Sequence, residues 1–204
     1  MMKLAVFASG SGSNFQALAL AAKEERLQAE IALLVCDNSE AYAVKRAEQL
    51  NIPVFSFRAR EYDNKAAFEN EIVEKLKEAG VDLIVLAGYM RLIGPTLLNA
   101  FEKQIINIHP SLLPAFPGKN AIGQAWEKGV KITGVTVHFV DEGMDTGPII
   151  AQEAVAVKKT DSLQSLTLAI QAAEHRVYPE TIQLLIEKRT LEGSPYNDHQ
   201  ASIN

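Results

Sequence analysis

Residues 82–87 read Asp-Leu-Ile-Val-Leu-Ala, and this stretch decides the fold of the chain. Successive side chains of a strand point to opposite faces, so an uninterrupted apolar run indicates a strand that is buried on both. Such strands lie at the centre of parallel sheets that helices cover on two sides. The stretch therefore predicts a central parallel strand.

Helical and strand-like patterns alternate on either side of that strand. Phe68, Ile72, Leu76 and Ala79 mark the apolar face of a helix that Gly80 ends. The other elements predicted in this half are strands at 3–8, 31–36, 54–57 and 105–109, and helices at 15–22, 41–50 and 95–100. This alternation predicts an α/β fold with a doubly wound, mainly parallel sheet through about residue 110.

The second half of the chain has a different order. A helix at 119–128 precedes strands at 133–140 and 149–157, which follow each other too closely for a crossover and should be antiparallel. Apolar residues from Leu163 to Leu184 step by three, four or seven, which predicts a long C-terminal helix. We expect one domain over residues 1–190 and a polar C-terminal tail over 191–204.

Composition narrows the class of protein. The chain has 204 residues, of which 48% are hydrophobic, enough for one substantial core. Its net charge of −5 and the lack of a basic block make nucleic acid and anionic membranes poor partners. One cysteine, Cys36, and four histidines without a metal-binding spacing predict no metal site. We find no secretion signal or membrane span and expect a cytoplasmic protein.

Residues 9–14, Ser-Gly-Ser-Gly-Ser-Asn, follow the first strand and open the first helix. Glycines let the backbone approach a ligand closely, and N–H groups at a helix start favour negative charge. The loop lacks the third glycine of the dinucleotide fingerprint, replaced by Phe15, and the lysine of the Walker pattern. It suits a phosphate monoester. The alternative is an ordinary turn in which Ser13 or Asn14 caps the helix.

Residues 107–114, Asn-Ile-His-Pro-Ser-Leu-Leu-Pro, complete the strand at 105–109. Asn107 and His109 are two residues apart and project from the same face, while Pro110 prevents a helix from starting directly behind them. The pair therefore lies at the carboxyl end of a strand, where open α/β sheets bind ligands. An amide donor beside an imidazole can polarise a carbonyl and handle a proton, which indicates an enzyme.

Residues 138–148, His-Phe-Val-Asp-Glu-Gly-Met-Asp-Thr-Gly-Pro, form a strand end and an acidic loop. A carboxylate from this loop could orient His109 and stabilise its cation. Asp141, Glu142 and Asp145 could equally form a solvated turn or bind a hard cation. His138 lies in an alternating strand and could share the pocket. The residues alone leave these alternatives open.

These motifs, with Ala-Gly-Tyr-Met-Arg at 87–91, Phe-Pro-Gly at 116–118 and Asp-Thr-Gly-Pro at 145–148, closely resemble the folate-dependent formyltransferases. The resemblance runs in order from residue 3 to about residue 188. The 107–114 block is typical of these enzymes and their hydrolase relatives, and the serine-glycine loop narrows it to those that formylate glycinamide ribonucleotide (GAR). The resemblance implies a Rossmann-like sheet with a folate cleft at its carboxyl edge.

The resemblance also implies a reaction, direct formyl transfer from 10-formyltetrahydrofolate to the GAR amine in de novo purine (IMP) biosynthesis. Asn107 and His109 would stabilise the oxyanion, and Asp145 would hold His109 and assist proton transfer. The implied GAR-binding residues are Gly12, Ser13, Asn14, Gln171 and Glu174. The implied folate-binding residues are Lys65, Met90, Arg91, Leu92, Ile93, Asn107, Asp141, Glu142, Gly143, Met144 and Asp145.

Several of these residues have plainer interpretations. Glu174 could be an exposed helix carboxylate, Lys65 a surface lysine, and Leu92 and Ile93 core residues. The chain also departs from many members at 119–123, Lys-Asn-Ala-Ile-Gly, where they carry a histidine-containing segment, so the contacts of this segment stay open.

Three other functions compete with this assignment. Formyltetrahydrofolate hydrolase should carry an additional N-terminal domain, for which a phosphate loop that starts by residue 9 leaves no room. Methionyl-tRNA formyltransferase should have a C-terminal RNA-binding domain and a basic face. A non-catalytic folate- or nucleotide-binding module could keep the same fold. For the favoured function we expect small-molecule partners, no nucleic acid, no membrane, and a monomer or homodimer.

Overall fold

The computed structural model describes residues 1–192, so residues 193–204 of the predicted tail lie outside the described residues. The strands are β1 (Met2–Ala8), β2 (Ala29–Cys36), β3 (Val54–Ser56), β4 (Leu83–Leu86), β5 (Ile105–His109), β6 (Ile132–Phe139) and β7 (Ile149–Ala156). The α-helices are α1 (Ser13–Lys23), α2 (Tyr42–Gln49), α3 (Lys65–Glu78), α4 (Pro95–Ala100), α5 (Ala121–Lys128) and α6 (Leu163–Glu192). A short 3-10 helix at Ala59–Glu61 was not predicted from the sequence.

All seven strands form one sheet in the order β3-β2-β1-β4-β5-β6-β7. Strands β1 to β5 pair in parallel, and β6 pairs antiparallel with both β5 and β7. The prediction of a doubly wound, mainly parallel sheet with an antiparallel C-terminal region is confirmed. The strand order reverses between β1 and β4, and ligands bind beside such a reversal in open α/β sheets.

The sheet is buried on both faces, as the run at 82–87 predicts. Neighbouring residues of one strand enter opposite cores: Val6 and Val85 face the core built with α1 and α6, whereas Phe7 and Ile84 face the core built with α3 and α4. Each of these four side chains is fully buried. Burial of one such side chain stabilises the fold by about 1.5–3 kcal/mol, so the alternation fixes the strand register.

Helix α6 is tied to the middle of the sheet by a buried tyrosine. The Tyr178 hydroxyl shares its one proton between the carbonyl of Leu86 at 2.8 Å and that of Ile106 at 3.3 Å. The Leu86 carbonyl lies at the carboxyl end of β4, and the Ile106 carbonyl belongs to the neighbouring strand β5. The preceding turn of α6, which carries Glu174, is thereby held beside the ligand-binding edge. In the described part of the chain, no helix is both long enough and apolar enough to cross a membrane.

Candidate active site

A cavity of about 880 Å³ opens at the carboxyl edge of the sheet, beyond the ends of β4 and β5. The predicted site residues that line it are Asn14, Met90, Arg91, Leu92, Ile93, Asn107, His109, Asp141, Gly143, Met144, Asp145 and Glu174. Those outside its lining are Gly12, Ser13, Lys65, Glu142 and Gln171. The cavity therefore brings together the acid-base residues, much of the expected folate wall and one end of the expected GAR site.

Asn107, His109 and Asp145 lie close together with His138. The Asp145 Oδ2 atom is 3.4 Å from Nδ1 of His109, and its Oδ1 atom is 3.7 Å from Nε2 of His138. Strand alternation places Asn107 and His109 on one face of β5, and antiparallel pairing sets His138 of β6 directly beside Asn107. Two adjacent strands and the loop after β6 thus supply one compact polar group.

Backbone carbonyls determine which ring nitrogen carries the proton in each of the two histidines. Nε2 of His109 lies 2.9 Å from the carbonyl oxygen of Phe116, which can only accept, so Nε2 carries the proton and donates it. Nδ1 of His109 then faces Asp145. A proton gained at Nδ1 would make an imidazolium that the Asp145 carboxylate stabilises.

His138 is oriented in the opposite sense and holds the Asn107 amide. Its Nδ1 donates to the carbonyl of Phe139 at 2.7 Å, which in the neutral ring leaves Nε2 as an acceptor. The Nδ2 group of Asn107 lies 3.2 Å from that Nε2 and donates one of its two hydrogens. The second N–H of the same amide can then donate to a ligand in the cavity.

Asp145 is held as a carboxylate. Burial would raise the pKa of Asp145, but the His138 ring in its protonated form, the N–H of Gly118 at 2.8 Å and the positive charge of protonated His109 outweigh that effect and lower it. Asp145 also adopts a positive φ of 56°, an uncommon conformation that clusters at functional sites. The side chain is thus fixed in charge and direction beside His109.

The rest of the acidic loop closes on itself. Asp141 accepts hydrogen bonds from the N–H of Gly143 at 3.0 Å and from the Thr146 hydroxyl at 2.6 Å. A side chain at Gly147 would collide with the carbonyl of Phe139, so the loop needs glycine there to return to β6. Within residues 1–192, no group of three or more histidine, cysteine, aspartate or glutamate side chains could hold a metal ion.

The serine-glycine loop does not use the helix cap that its serines suggest. The capping residue of α1 is Gly12, with φ at 70° and no side-chain cap hydrogen bond, so the alternative of a Ser13 or Asn14 cap is wrong. Arg46 of α2 supports the loop by donating from Nε to the carbonyl of Ser11 at 2.8 Å. The first turn of α1 therefore keeps its backbone N–H groups free of a side-chain cap, as an anion site requires.

Glu174 of α6 lies against Asn14 at the end of this loop and is not an exposed helix carboxylate. Its side chain is buried, which raises its pKa to about 7 although a hydrogen bond with Asn14 opposes the shift. The Oδ1 atom of Asn14 is buried without a partner among the described residues. A carboxyl with this raised pKa can donate as well as accept hydrogen bonds, and together with the unpaired amide oxygen of Asn14 it can bind a polyhydroxylated ligand.

The expected folate wall consists of the loop between β4 and α4. Met90 and Leu92 are exposed toward the cavity, so the interpretation of Leu92 as a core residue is wrong, whereas Ile93 is buried in the core and also lines the cavity. Arg91 forms an ion pair with Asp37 at 2.7 Å. Its guanidinium is therefore paired with a residue outside the cavity lining, and the apolar side chains of the loop are left to contact a ligand.

A second cavity of about 790 Å³ lies at the amino-terminal edge of the sheet, beside Met1, Asp82 and Arg189. Asp82 accepts from the backbone of Lys3 and lies 3.7 Å from Arg189, which accounts for both charges. No histidine or cysteine lines it. Open α/β sheets bind ligands at the carboxyl edge, and the acid-base cluster lies at that edge. The cavity of about 880 Å³ is therefore the candidate site.

Comparison with known proteins agrees with this geometry. Residues 2–182, most of the chain, match the family described as formyl transferase. The chain belongs to this family. The family resemblance seen in the motifs is thereby confirmed.

Relatives of this formyl transferase family member share its fold over about nine tenths of the chain. It is 56% identical over 186 residues to phosphoribosylglycinamide formyltransferase of Bacillus subtilis (strain 168), covering 91% of the chain and 95% of that protein. It is 55% identical to the crystal structure of phosphoribosylglycinamide formyltransferase from Bacillus halodurans, with a TM-score of 0.88 over 91% of this chain and 96% of that one. It is 57% identical to the crystal structure of glycinamide ribonucleotide transformylase 1 from Geobacillus kaustophilus, with a TM-score of 0.89 over 91% of this chain and 98% of that one.

Sequence reasoning missed part of the lining in this formyl transferase family member. Leu163 and Thr167 line the cavity and lie on the same face of α6 as Glu174. Their i, i+4 spacing leading toward Gln171 was a signal that could have found them. Residues 119–123, whose contacts the sequence left open, also line the cavity, although no motif marked them.

Proposed function

We propose that this formyl transferase family member transfers a formyl group from 10-formyltetrahydrofolate to the primary amine of GAR, a step of de novo purine (IMP) biosynthesis. The observation that carries the proposal is the cluster of Asn107, His109 and Asp145 at the wall of a cavity that Asn14 and Glu174 also line. The identity of 56% to an enzyme named for this reaction, over 95% of that enzyme, supports the choice of substrates.

In this mechanism the GAR amine attacks the formyl carbon, and a tetrahedral intermediate forms without an acyl-enzyme. The free N–H of Asn107 and the Nε2–H of His109 donate to the oxyanion, which requires the oxyanion to replace the Phe116 carbonyl as acceptor of the His109 proton. The carbon–N10 bond of the folate then breaks and the formyl group stays on the GAR nitrogen. The proton lost from that nitrogen ends on N10 of the folate.

Asp145 has two roles in this scheme. Its carboxylate, with a lowered pKa, stabilises positive charge on His109 across the 3.4 Å contact with Nδ1. It also orients a bound water that carries the proton from the amine toward N10. Loss of the carboxylate should therefore lower turnover while GAR binding persists.

The two substrates occupy opposite ends of the cavity. Gly12, Ser13 and Asn14 bind the GAR phosphate through the uncapped start of α1, and Gln171 and Glu174 bind its ribose or glycinamide portion. Residues 90–93 and 141–145 form the two sides of the pterin pocket. Lys65, exposed over 43% of its side chain beside the 90–94 loop, binds the glutamate carboxylate of the folate.

The proposal extends to cofactor and setting. The reduced folate is a cosubstrate that is consumed in each turnover, and the chemistry needs no metal because protein donors stabilise the charge. The partners are the two small molecules, without nucleic acid or membrane, and the protein acts as a monomer or homodimer in the cytoplasm.

An absorbance assay of folate deformylation, run with and without GAR, tests the proposal. Formyl loss that depends on GAR and yields formylated GAR is the expected result. Formyl loss without the amine would identify a hydrolase instead. If calorimetry detected binding of both substrates without turnover, a non-catalytic binding module would be the correct assignment.

A further inference from the structure

The loop at residues 90–94 has no regular secondary structure, so contacts with neighbouring elements must set its shape. It is attached at its start, where the N–H of Met90 donates to the Ser9 hydroxyl at 2.9 Å. In its middle, the Arg91 side chain is bound by Asp37. At its end, the N–H of Gly94 donates to Oε1 of Glu69 at 2.7 Å. These anchoring side chains do not line the cavity.

Glu69 is the most unusual of these anchors. It lies on α3 and is 1% exposed, although glutamates are rarely buried unless paired. Its Oε1 atom has two contacts, the Gly94 N–H and, at 3.9 Å, the ammonium of Lys65. Its Oε2 atom is buried and has no partner among the described residues. A buried carboxylate with one unsatisfied oxygen costs stability, because that oxygen has lost its water and gained no other donor. Apolar replacements of such groups are accordingly often neutral or stabilising.

The loop end fits closely against this carboxylate. A Cβ atom at Gly94 would lie 2.6 and 2.8 Å from the two Glu69 oxygens and 2.8 Å from Cε of Lys65. Only glycine lets the backbone approach so near. Pro95 follows and begins α4, so the Gly94 N–H is the donor through which Glu69 fixes the junction of loop and helix.

We propose that Glu69 is a positioning residue for the folate substrate. By holding the Gly94 N–H, it fixes residues 90–93 in the shape that binds the pterin, without touching the ligand itself. This inference rests on the proposed function, which assigns that wall to the folate. It predicts that Glu69 controls folate affinity selectively, because the GAR-binding residues belong to α1 and α6.

Steady-state kinetics of Glu69→Ala and Glu69→Gln test the inference. The alanine variant should raise the KM for the formyl folate by about tenfold, the usual effect of losing a hydrogen bond to a charged group. Its KM for GAR should change less than about twofold, since an independent site is unaffected. Glutamine keeps an acceptor for Gly94 and should restore a KM near that of wild type. The matched control is Glu78→Gln, an exposed carboxylate on α3 that pairs with Lys75 and should change neither KM.

A formyl folate that lacks its glutamate separates two routes by which Glu69 could act. If Glu69 acts through the loop, the penalty of Glu69→Ala persists with this truncated substrate. Lys65→Ala should lose affinity only for the complete folate. If the Glu69→Ala penalty disappeared with the truncated substrate, Glu69 would act through Lys65 and the positioning role would be wrong.

The same assays separate this inference from the proposed function. Wild-type protein that does not formylate GAR overturns the proposed function. Active wild type with an unchanged folate KM in Glu69→Ala overturns the inference alone, as does an equal rise in both KM values. If Glu69→Ala does not fold, Glu69→Asp carries the test, because it keeps the charge but withdraws the oxygen from Gly94. A folate dissociation constant equal to that of wild type in Glu69→Asp would then overturn the inference.

Discussion

His109 and His138 carry their ring protons on opposite nitrogens, and two backbone carbonyls decide this. The carbonyl of Phe116 accepts a hydrogen bond from Nε2–H of His109, and the carbonyl of Phe139 accepts one from Nδ1–H of His138. The remaining nitrogens therefore face Asp145 and the Asn107 amide. The sequence predicts that Asn107, His109 and an acidic loop contribute to one site. It does not predict the tautomers, because the carbonyls that determine them are placed by loop geometry.

Glu174 gives a prediction for pH-dependent stability. Burial raises its pKa from 4.5 to about 7, so between these values the folded state holds a proton that the unfolded state has lost. The stabilisation is complete below pH 4.5 and disappears as pH rises through about 7. Relative to Glu174→Gln, the wild-type free energy of unfolding should fall by up to ~3 kcal/mol from pH 4.5 to pH 8.

Urea unfolding at several pH values measures this difference. Glu180→Gln is the control, because Glu180 is an exposed carboxylate on the same helix and should follow the wild-type profile. A constant offset between wild type and Glu174→Gln across this range would contradict the burial of an ionisable carboxyl at position 174.

The loop between β1 and α1 offers a matched pair of glycines. Gly12 has φ at 70°, and a Cβ there would lie 2.7 Å from Cβ of Ala43, whereas a Cβ at Gly10 would meet nothing within 4 Å. Gly12→Ala should strain the loop by ~1–2 kcal/mol and raise the KM for GAR about tenfold. Gly10→Ala should leave that KM unchanged. Equal effects of the two substitutions would contradict the role of Gly12 in shaping the anion site.

Helix α6 gives a prediction about stability. Tyr178→Phe removes the hydroxyl that joins this helix to β4 and β5 and leaves two buried carbonyls without that donor. The free energy of unfolding should fall by ~1–3 kcal/mol in urea titration. Tyr42→Phe, at a half-exposed tyrosine of α2, is the control and should have little effect. An unchanged midpoint for Tyr178→Phe would show that the buried hydroxyl does not hold α6 against the sheet.

Elements with a strong physical signal could be predicted, and those with weak or competing signals could not. The apolar runs of β1 and β4 predict strands because burial on both faces allows no polar alternation. The alternative in which Ser13 or Asn14 caps α1 was wrong. Both are good capping residues, and only the backbone shows that Gly12 takes the capping position in the left-handed conformation. The 3-10 helix at Ala59–Glu61 has no buried residue and hence no apolar period to reveal it.

Across the whole molecule, the cavity joins parts of the chain that are far apart in sequence, since Asn14, Asn107, Asp145 and Glu174 all line it. A ligand there should therefore stabilise the described domain as one unit. GAR at 100 times its dissociation constant should add ~2.7 kcal/mol to the stability and raise the Tm by roughly 5–10 °C. Calorimetry should show a single transition. Two transitions, only one of them shifted, would contradict a single cooperative domain over residues 1–190.

The site could be predicted from the sequence where one motif presents neighbouring side chains, as at 107–109. It could not be predicted where distant elements meet. Residues 119–123 line the cavity without a motif of their own, and Lys65 lies outside the lining, with its ammonium 3.9 Å from Glu69. Such placements depend on how α3, α5 and α6 pack on the sheet, and no local pattern contains that information.

The turnover number of Asn107→Ala and of His109→Ala, measured with both substrates saturating, tests the central claim most directly. Each variant loses one donor to the oxyanion, so kcat should fall on the order of 10²–10³-fold. The KM for GAR should stay near the wild-type value, and Asn70→Ala, at an exposed asparagine of α3, should behave as wild type. A kcat within about threefold of wild type for either variant would contradict the assignment of this cluster as the catalytic centre.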